Sequence, residues 1–342
     1  MVLVFRRLSR TSKRNVLYSI LFVFVFLYFS GLWSRFFERP FSEFDYPLQG
    51  AIDGLVEKLI EGHPPLIQAI NPYHGINLLI TSPGKCSTRP GEHLRLVYLI
   101  KSAAGNFARR DAIRNSWGFE QRFSDVRIAT VFLVGTSSNS KVARAIEEEN
   151  RMHSDLVQAD FVDNYYNNTM KTVVGLKWAF EFCPNARFYF FSDDDMYVST
   201  KNLLRPALDF DSDSNFELYS GYLWSGSRPM RHVFSKWFVS VTDYPFDQYP
   251  DFIAAGAYVL TRRALLKLYY GSLFTRPFLF DDVYLGIIAE KLKMKLTHSK
   301  EFHFFKKEYD VFGYRYVVTS HGYGDPQELL RVWNEQKTAG NA

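Results

Sequence analysis

The chain is 342 residues long, 47% hydrophobic and 17% aromatic, which supplies a substantial core and excludes a disordered protein. Its formal charge of +5 traces to an N-terminal cluster, Arg6, Arg7, Arg10, Lys13 and Arg14. Setting those five aside leaves 36 basic against 36 acidic residues, so no basic face for a phosphate backbone, and no nucleic-acid partner, is expected.

Val16 to Trp33, VLYSILFVFVFLYFSGLW, is 18 residues without a charge, the length at which membrane spans begin. Basic residues cluster before it, while Arg35, Glu38 and Arg39 nearly balance behind it. The positive-inside rule then makes 1–15 a cytoplasmic tail and sends the rest across the membrane. A cleaved signal peptide needs small residues at its end, and this end is rich in Phe, Tyr and Trp. Residues 16–33 therefore read as a transmembrane signal anchor. From 34 to 91, Pro40, Pro47, Pro64, Pro65, Pro72, Pro83 and Pro90 interrupt short apolar runs, which suits a lumenal stem. The two cysteines, Cys86 and Cys183, either pair in an oxidising compartment or stay free and buried; both readings are open.

The compact part is expected from 92 to 342. Leu94–Ile100 reads as a buried strand, Lys101–Gly105 as a loop and Arg109–Trp117 as a short helix. Ile128–Val134 is a second strand, Lys141–Arg151 a helix and Leu156–Phe161 a third strand. Met170–Phe182 forms a helix with Val174, Trp178 and Phe182 on one face. This alternation predicts an α/β fold with a mostly parallel, Rossmann-like sheet. No Gly-x-Gly-x-x-Gly follows the first strand, so a dinucleotide site is not supported.

Phe188–Val198, FYFFSDDDMYV, carries the strongest chemical signal. An aromatic run buried on both faces ends in Asp193, Asp194 and Asp195. Three adjacent acids repel one another unless solvated or neutralised, and carboxylates suit hard cations such as Mn²⁺ and Mg²⁺. Ligands of open α/β sheets bind beyond the strands' carboxyl ends. The bland alternative is an acidic turn capping a helix at Thr200.

Several ordered motifs resemble the β-1,3-galactosyltransferase and β-1,3-N-acetylglucosaminyltransferase family over about 92 to 337. They are Arg110–Trp117 (RDAIRNSW), Asp163–Thr172 (DNYYNNTMKT), the Asp193–Asp195 triplet, Lys236–Ser240 (KWFVS) and Phe280–Gly286 (FDDVYLG). Among the members, those extending glycolipids are most similar, through Leu99–Ala103, Arg122–Val126, Phe234–Trp237, Ala255–Ala257 and Arg331–Glu335. Phe191, Ile253 and Ala257 depart from residues frequent in the wider family, which puts that family's disulfide pattern in doubt but not its chemistry.

The resemblance implies a GT-A nucleotide-sugar-binding fold behind the anchor, in a type II Golgi membrane protein with its catalytic domain in the lumen. It implies a UDP-sugar donor, a glycolipid or glycan acceptor, and Mn²⁺, with Mg²⁺ as the alternative. Asp195 and His321 would hold the metal, with Asp193 contacting the nucleotide and Asp194 supporting it. Two protein ligands suffice when a diphosphate and water complete the shell. A β-linkage made from an α-linked donor needs a base opposite the leaving group, and the matching position is Asp282. Asp281 could cap the helix that follows. Lys171, Arg110 and Arg114 are donor-side cations in this reading, or else partners of acids.

Trp237 and Tyr258 could offer flat faces to acceptor sugars, with core packing as the alternative for each. Asn167-Asn168-Thr169 is a glycosylation sequon, and Thr169 could also cap a helix. The expected reaction is inverting β-1,3 transfer of N-acetylglucosamine to mannose on a glycolipid, with galactose transfer as the alternative. A catalytically silent lumenal glycan-binding or chaperone protein on the same fold is the reading from another class.

Overall fold

The computed structural model describes residues 10–47, 52–65, 67–87, 94–205 and 216–342. In chain order the first elements are helices α1 (Arg10–Phe29), α2 (Leu32–Arg35) and α3 (Asp53–Ile60), then strand β1 (Leu78–Ile80). The αβ alternation follows as β2 (Leu94–Lys101), α4 (Phe107–Arg114), β3 (Arg127–Thr136), α5 (Ser140–His153), β4 (Leu156–Val162), α6 (Asn168–Phe182) and β5 (Phe188–Asp193). Next come β6 (Met196–Val198), α7 (Thr200–Leu204), β7 (Tyr219–Trp224), β8 (Phe252–Thr261), α8 (Arg262–Leu273) and α9 (Asp281–Lys291). The chain finishes with β9 (Leu296–His298), β10 (Phe302–His303), β11 (Thr319–His321) and α10 (Pro326–Thr338).

Among these residues an eight-stranded sheet has the order β1-β4-β3-β2-β5-β8-β7-β9. Its middle, β4-β3-β2-β5, is parallel throughout, as the alternation predicts. Leu96 to Ile100 of β2 and Phe188 to Phe191 of β5 are buried on both faces, the pattern of strands covered by helices on each side. β8 departs from the parallel plan by running antiparallel to both β5 and β7. Its reversed direction brings the start of β8 to the carboxyl end of β5. α9 then packs against β8 so closely that a Cβ on Gly286 would overlap Phe252 and the Asp251 carbonyl. Glycine is required there, and the approach fixes where the N-terminus of α9 lies.

The chain divides into two compact units, Met1–Tyr46 with Gly226–Tyr249, and Pro47–Ser225 with Pro250–Ala342. Within the larger unit α3 packs on α8, with Glu57 ion-paired to Arg263 and Lys267. β1 adds an antiparallel edge to β4, so 53–60 and 78–80 are parts of the folded body and not a loose stem. Cys86 and Cys183 are joined, with their Cα atoms 5.3 Å apart and a sequence separation of 97. Closing so long a loop stabilises by about 4–5 kcal/mol in the chain-entropy account.

The helix bounds do not confirm the expected 16–33 span. α1 ends at Phe29, and Gly31 turns the chain in the left-handed region at φ 78°. A Cβ there would overlap the Arg231 backbone carbonyl, so the turn depends on glycine. The uncharged part of α1 is left about 21 Å long, against roughly 30 Å of hydrocarbon in a bilayer. Among the described residues no helix is long and apolar enough to cross a membrane.

The smaller unit is organised by Arg231, whose side chain is 1% exposed. Its guanidinium donates to the carbonyls of Val239, Ser240, Tyr244 and Phe246 and to Glu38 Oε1 at 2.8 Å. One side chain thus closes the irregular 226–249 segment and ties it to the N-terminal strand of chain. Arg231→Met should leave the buried Glu38 with only the longer contact from Arg35 at 3.4 Å and the four carbonyls without this donor, a loss of about 3–5 kcal/mol. Limited proteolysis should then cut 226–249 much sooner than in the parent protein while the larger unit keeps its thermal transition. Unchanged protection of 226–249 would contradict the role given to Arg231.

Candidate active site

The site is built where β2 and β5 end side by side, and their register sets Lys101 opposite Asp193. Lys101 is not in a loop, as its sequence suggests, but is the last residue of its strand, with its side chain only 2% exposed. Its Nζ lies 3.1 Å from Asp193 Oδ1, 2.7 Å from Asp281 Oδ2 and 3.1 Å from the Ala255 carbonyl. Burial opposes the ammonium charge, yet Asp193 and Asp281 outweigh it and hold the pKa above the ordinary lysine value. One cation therefore joins the acidic end of β5 to the first turn of α9.

That cation also separates the two acids of α9. Asp281 Oδ2 accepts from Lys101 and, at 2.8 Å, from Thr172 Oγ1. Burial would raise its pKa, but Lys101 and Thr172 hold it below the ordinary value. Asp281 does not cap α9; Phe280 occupies the cap position, and the Asp281 carboxylate faces the ammonium. Asp282 is pushed up to about 7, first by burial and then by the Asp281 charge, against smaller opposing effects of Val283, Lys101 and Ala255. Val283 N–H donates to Asp282 Oδ1 at 2.8 Å. Adjacent carboxyls with pKa values driven apart are the pattern of an assigned base beside a permanent charge.

The acidic turn divides its labour. Asp194 is buried and accepts from Ser102 Oγ at 2.7 Å, Asn106 Nδ2 at 2.8 Å and Arg109 Nη1 at 2.8 Å. Asp193 keeps about a third of its side chain exposed, at 32%, and its pKa is pushed up to about 6 by burial, Asp195 and Asp281 against Lys101. Asp195 is followed at once by β6, which pairs antiparallel with β11 in a small sheet and sets His321 opposite Met196. Tyr323 N–H donates to the Asp195 carbonyl at 2.7 Å, fixing the turn. His321 Nε2 then stands 3.5 Å from Asp195 Oδ2.

Asp195 Oδ1 is buried and accepts no hydrogen bond among the described residues. Burial tends to raise the pKa of Asp195, but His321 and Arg109 hold it below the ordinary value. An ionised, unsatisfied carboxylate oxygen beside an imidazole fits a hard divalent cation. Among the described residues no group of three or more His, Cys, Asp or Glu could hold a metal by itself.

Residues 108–300 match the family model described as Galactosyltransferase. The chain is 46% identical over 250 residues to "Beta-1,3-galactosyltransferase brn" of Drosophila melanogaster, covering 72% of this chain and 76% of that protein. It is 33% identical over 269 residues to "Beta-1,3-galactosyltransferase 1" of Mus musculus, covering 79% of this chain and 81% of that one. The chain belongs to the β-1,3-galactosyltransferase family. Among solved structures, galactosyltransferase LgtC matches at a TM-score of 0.36 and 12% identity, over 72% of this chain and 100% of that one.

Several residues that the family motifs suggest at the donor prove to be internal. Arg110 is fully buried, and its guanidinium is spent on Glu149, Ser102 and the Ala103 and Ala104 carbonyls. Arg114 is held by Asp155 and Glu149. Their neighbour Arg109 is the arginine of α4 that reaches the acidic turn, one-third exposed at 33%. Lys171 is buried against Asp163 Oδ1 at 2.7 Å and the Ser102 carbonyl at 2.8 Å. Asp163 Oδ2 in turn accepts from the Ala104 and Gly135 N–H groups, so the pair braces the loop after β2.

Tyr258 is fully buried and stacked on Phe191 at 5.1 Å, which makes it core and not an acceptor platform. Trp237 belongs to the smaller unit, where it is 49% exposed with Lys236 Nζ 4.4 Å over its ring. Asn167 is partly exposed just before α6. Thr169 does not cap that helix; its hydroxyl donates to the Phe278 carbonyl at 2.8 Å.

Lys101→Met should leave Asp193 and Asp281 facing each other without their shared cation. Breaking a buried pair costs about 3–5 kcal/mol, so urea unfolding of the larger unit should shift by that order. A midpoint within experimental error of the parent's would show that the ammonium does not hold this edge together.

Proposed function

We propose that this family member is an inverting β-1,3-glycosyltransferase that moves a sugar from a UDP donor to a glycolipid acceptor. The observation that carries the reading is the pair Asp281 and Asp282, split by Lys101 beside the acidic turn. Asp282, with a pKa near 7, is suited to take the proton of an acceptor hydroxyl. The hydroxyl oxygen forms the new bond to the anomeric carbon as the bond to the diphosphate breaks, and UDP leaves with the electron pair. Attack from the face opposite the leaving group converts an α-linked donor into a β-linked product.

Asp195 Oδ1 and the His321 imidazole would hold a divalent cation, Mn²⁺ or else Mg²⁺, whose charge neutralises the diphosphate when bound. The exposed part of Asp193 is available to the nucleotide, and Arg109 supplies a positive charge beside the turn. Ionised Asp281 and Lys101 position Asp282 and hold its electrostatic setting.

N-acetylglucosamine transferred to mannose is the specificity that the motif resemblance supports. The names of the relatives favour galactose as a second reading. A lumenal Golgi location is supported by the Cys86–Cys183 disulfide, the Asn167 sequon and the apolar α1 behind a basic N-terminus.

Asp282→Asn retains shape and hydrogen bonding but not the proton acceptor, so single-turnover transfer should fall by about 10²- to 10⁴-fold. UDP-sugar affinity should stay near the parent's, and Asp281→Asn should lose less of the chemical step. Screening UDP-N-acetylglucosamine and UDP-galactose against mannose- and N-acetylglucosamine-ended acceptors identifies the sugars. No turnover with any pair, at intact donor affinity, would favour the silent glycan-binding reading. Strong transfer by Asp282→Asn would remove that residue from the chemistry.

A further inference from the structure

The end of β7 carries an aromatic wall to which the site described above gives no role. Tyr258 of β8 pairs with Phe191 of β5 on one side and with Gly221 of β7 on the other. β7 therefore runs parallel to β5, and Tyr222 to Trp224 continue from Gly221 toward the acidic end of the sheet. Tyr222 and Trp224 meet with ring centres 5.4 Å apart. Phe304, from the chain after β10, packs on them at 5.8 and 5.4 Å. It also faces His321, with planes 10° from parallel and centres 6.4 Å apart. One run of rings thus leads from the end of β7 to the imidazole beside Asp195. Tyr222, Trp224 and Phe304 are each partly exposed, whereas Tyr219 at the start of the same strand is fully buried. Phe305, packed on Phe304 at 4.8 Å, is 67% exposed.

We propose that Trp224 and Phe304, backed by Tyr222, form a platform for a pyranose ring of the acceptor glycan. The inference rests on the transferase reading of the neighbouring site. A pyranose gathers axial C–H bonds on one face, and that face packs on aromatic surface while the hydroxyls keep their hydrogen bonds at the rim. A row of partly exposed rings suits such a face; rings that served only the core would be covered, as Tyr219 and Tyr258 are. The order along the sheet favours the acceptor over the donor. Asp193, Asp194 and Arg109 gather where β2 and β5 end. Asp282 meets the Ala255 backbone of β8, the next strand. The wall belongs to β7, one strand further, on the side of the proposed base away from the groups assigned to the nucleotide. Phe304 ties that side back to His321, so one contact fixes the platform relative to the acidic turn.

The test uses the full chain with methyl glycosides of mannose- and N-acetylglucosamine-ended disaccharides. Trp224→Leu keeps an apolar side chain but removes the ring, and Trp224→Phe restores one. Trp224→Leu should raise the acceptor KM about three- to tenfold while the KM for the UDP-sugar stays near the parent's. Trp224→Phe should recover most of that loss. An acceptor KM that does not move, or one that rises together with the KM for the donor, overturns the platform. A second measurement needs no turnover. Saturating the protein's aromatic protons should transfer magnetisation to the sugar-ring protons of the same glycosides, and the transfer should fall in Trp224→Leu. Equal transfer in the parent and Trp224→Leu also overturns the platform. If the parent turns over no donor yet this transfer depends on Trp224, the platform stands and the transferase reading falls.

Discussion

The buried ammonium of Lys101 is the interaction on which the site depends. A charge at the end of two strands buried on both faces is expensive unless compensated, and here two carboxylates from distant parts of the chain compensate it. Asp193 comes from the adjacent strand by sheet register, and Asp281 from a helix drawn in by the close approach at Gly286. The arrangement has an electrostatic consequence. With Asp281 kept ionised by Lys101, its neighbour Asp282 meets a fixed negative charge in a poorly solvated place and holds its proton to near neutrality. The same contact that supports the fold thus sets the character of the proposed base.

Around this contact the other charges are sorted by burial. Asp194, Lys171, Asp163, Arg110, Arg114 and Glu149 are paired inside and shape the loop after β2. Glu149 illustrates the energetic weight of that layer. Burial raises its pKa, but Arg110 and Arg114 hold it below the ordinary value, so its contribution is present above the unfolded pKa and fades as pH falls through the folded one. Asp193, Asp195, Arg109 and His321 remain partly exposed at the edge.

The parts of this design that are local in sequence were legible there. The aromatic run of β5 stopped by three acids, the helical face of α6 and the alternating strands could all be read from spacing. Asp281-Asp282 was recognisable from its motif. The partners of Lys101 were not, because they lie 92 and 180 residues away and only register and helix placement bring them together. Arg109 was missed beside Arg110 because which arginine reaches the acidic turn depends on the rotational phase of α4, which a short helix of mixed polarity does not declare. Arg231 was invisible because it satisfies carbonyls of an irregular segment that has no period to detect. The unbroken apolar run at 16–33 likewise concealed a glycine turn whose cause is a backbone contact with residue 231.

The linked states of Asp281 and Asp282 are the central physical claim, and the pH dependence of single-turnover transfer measures them most directly. Because Asp282 must be ionised to accept a proton, the rate should rise with pH and reach half its plateau near pH 7. In Asp281→Asn the negative charge that raises the Asp282 pKa is gone, and the Lys101 charge is less compensated; both changes lower that pKa. The midpoint should therefore move to lower pH in this variant. A midpoint that stays in place, or a rate without pH dependence in the parent, would contradict the account.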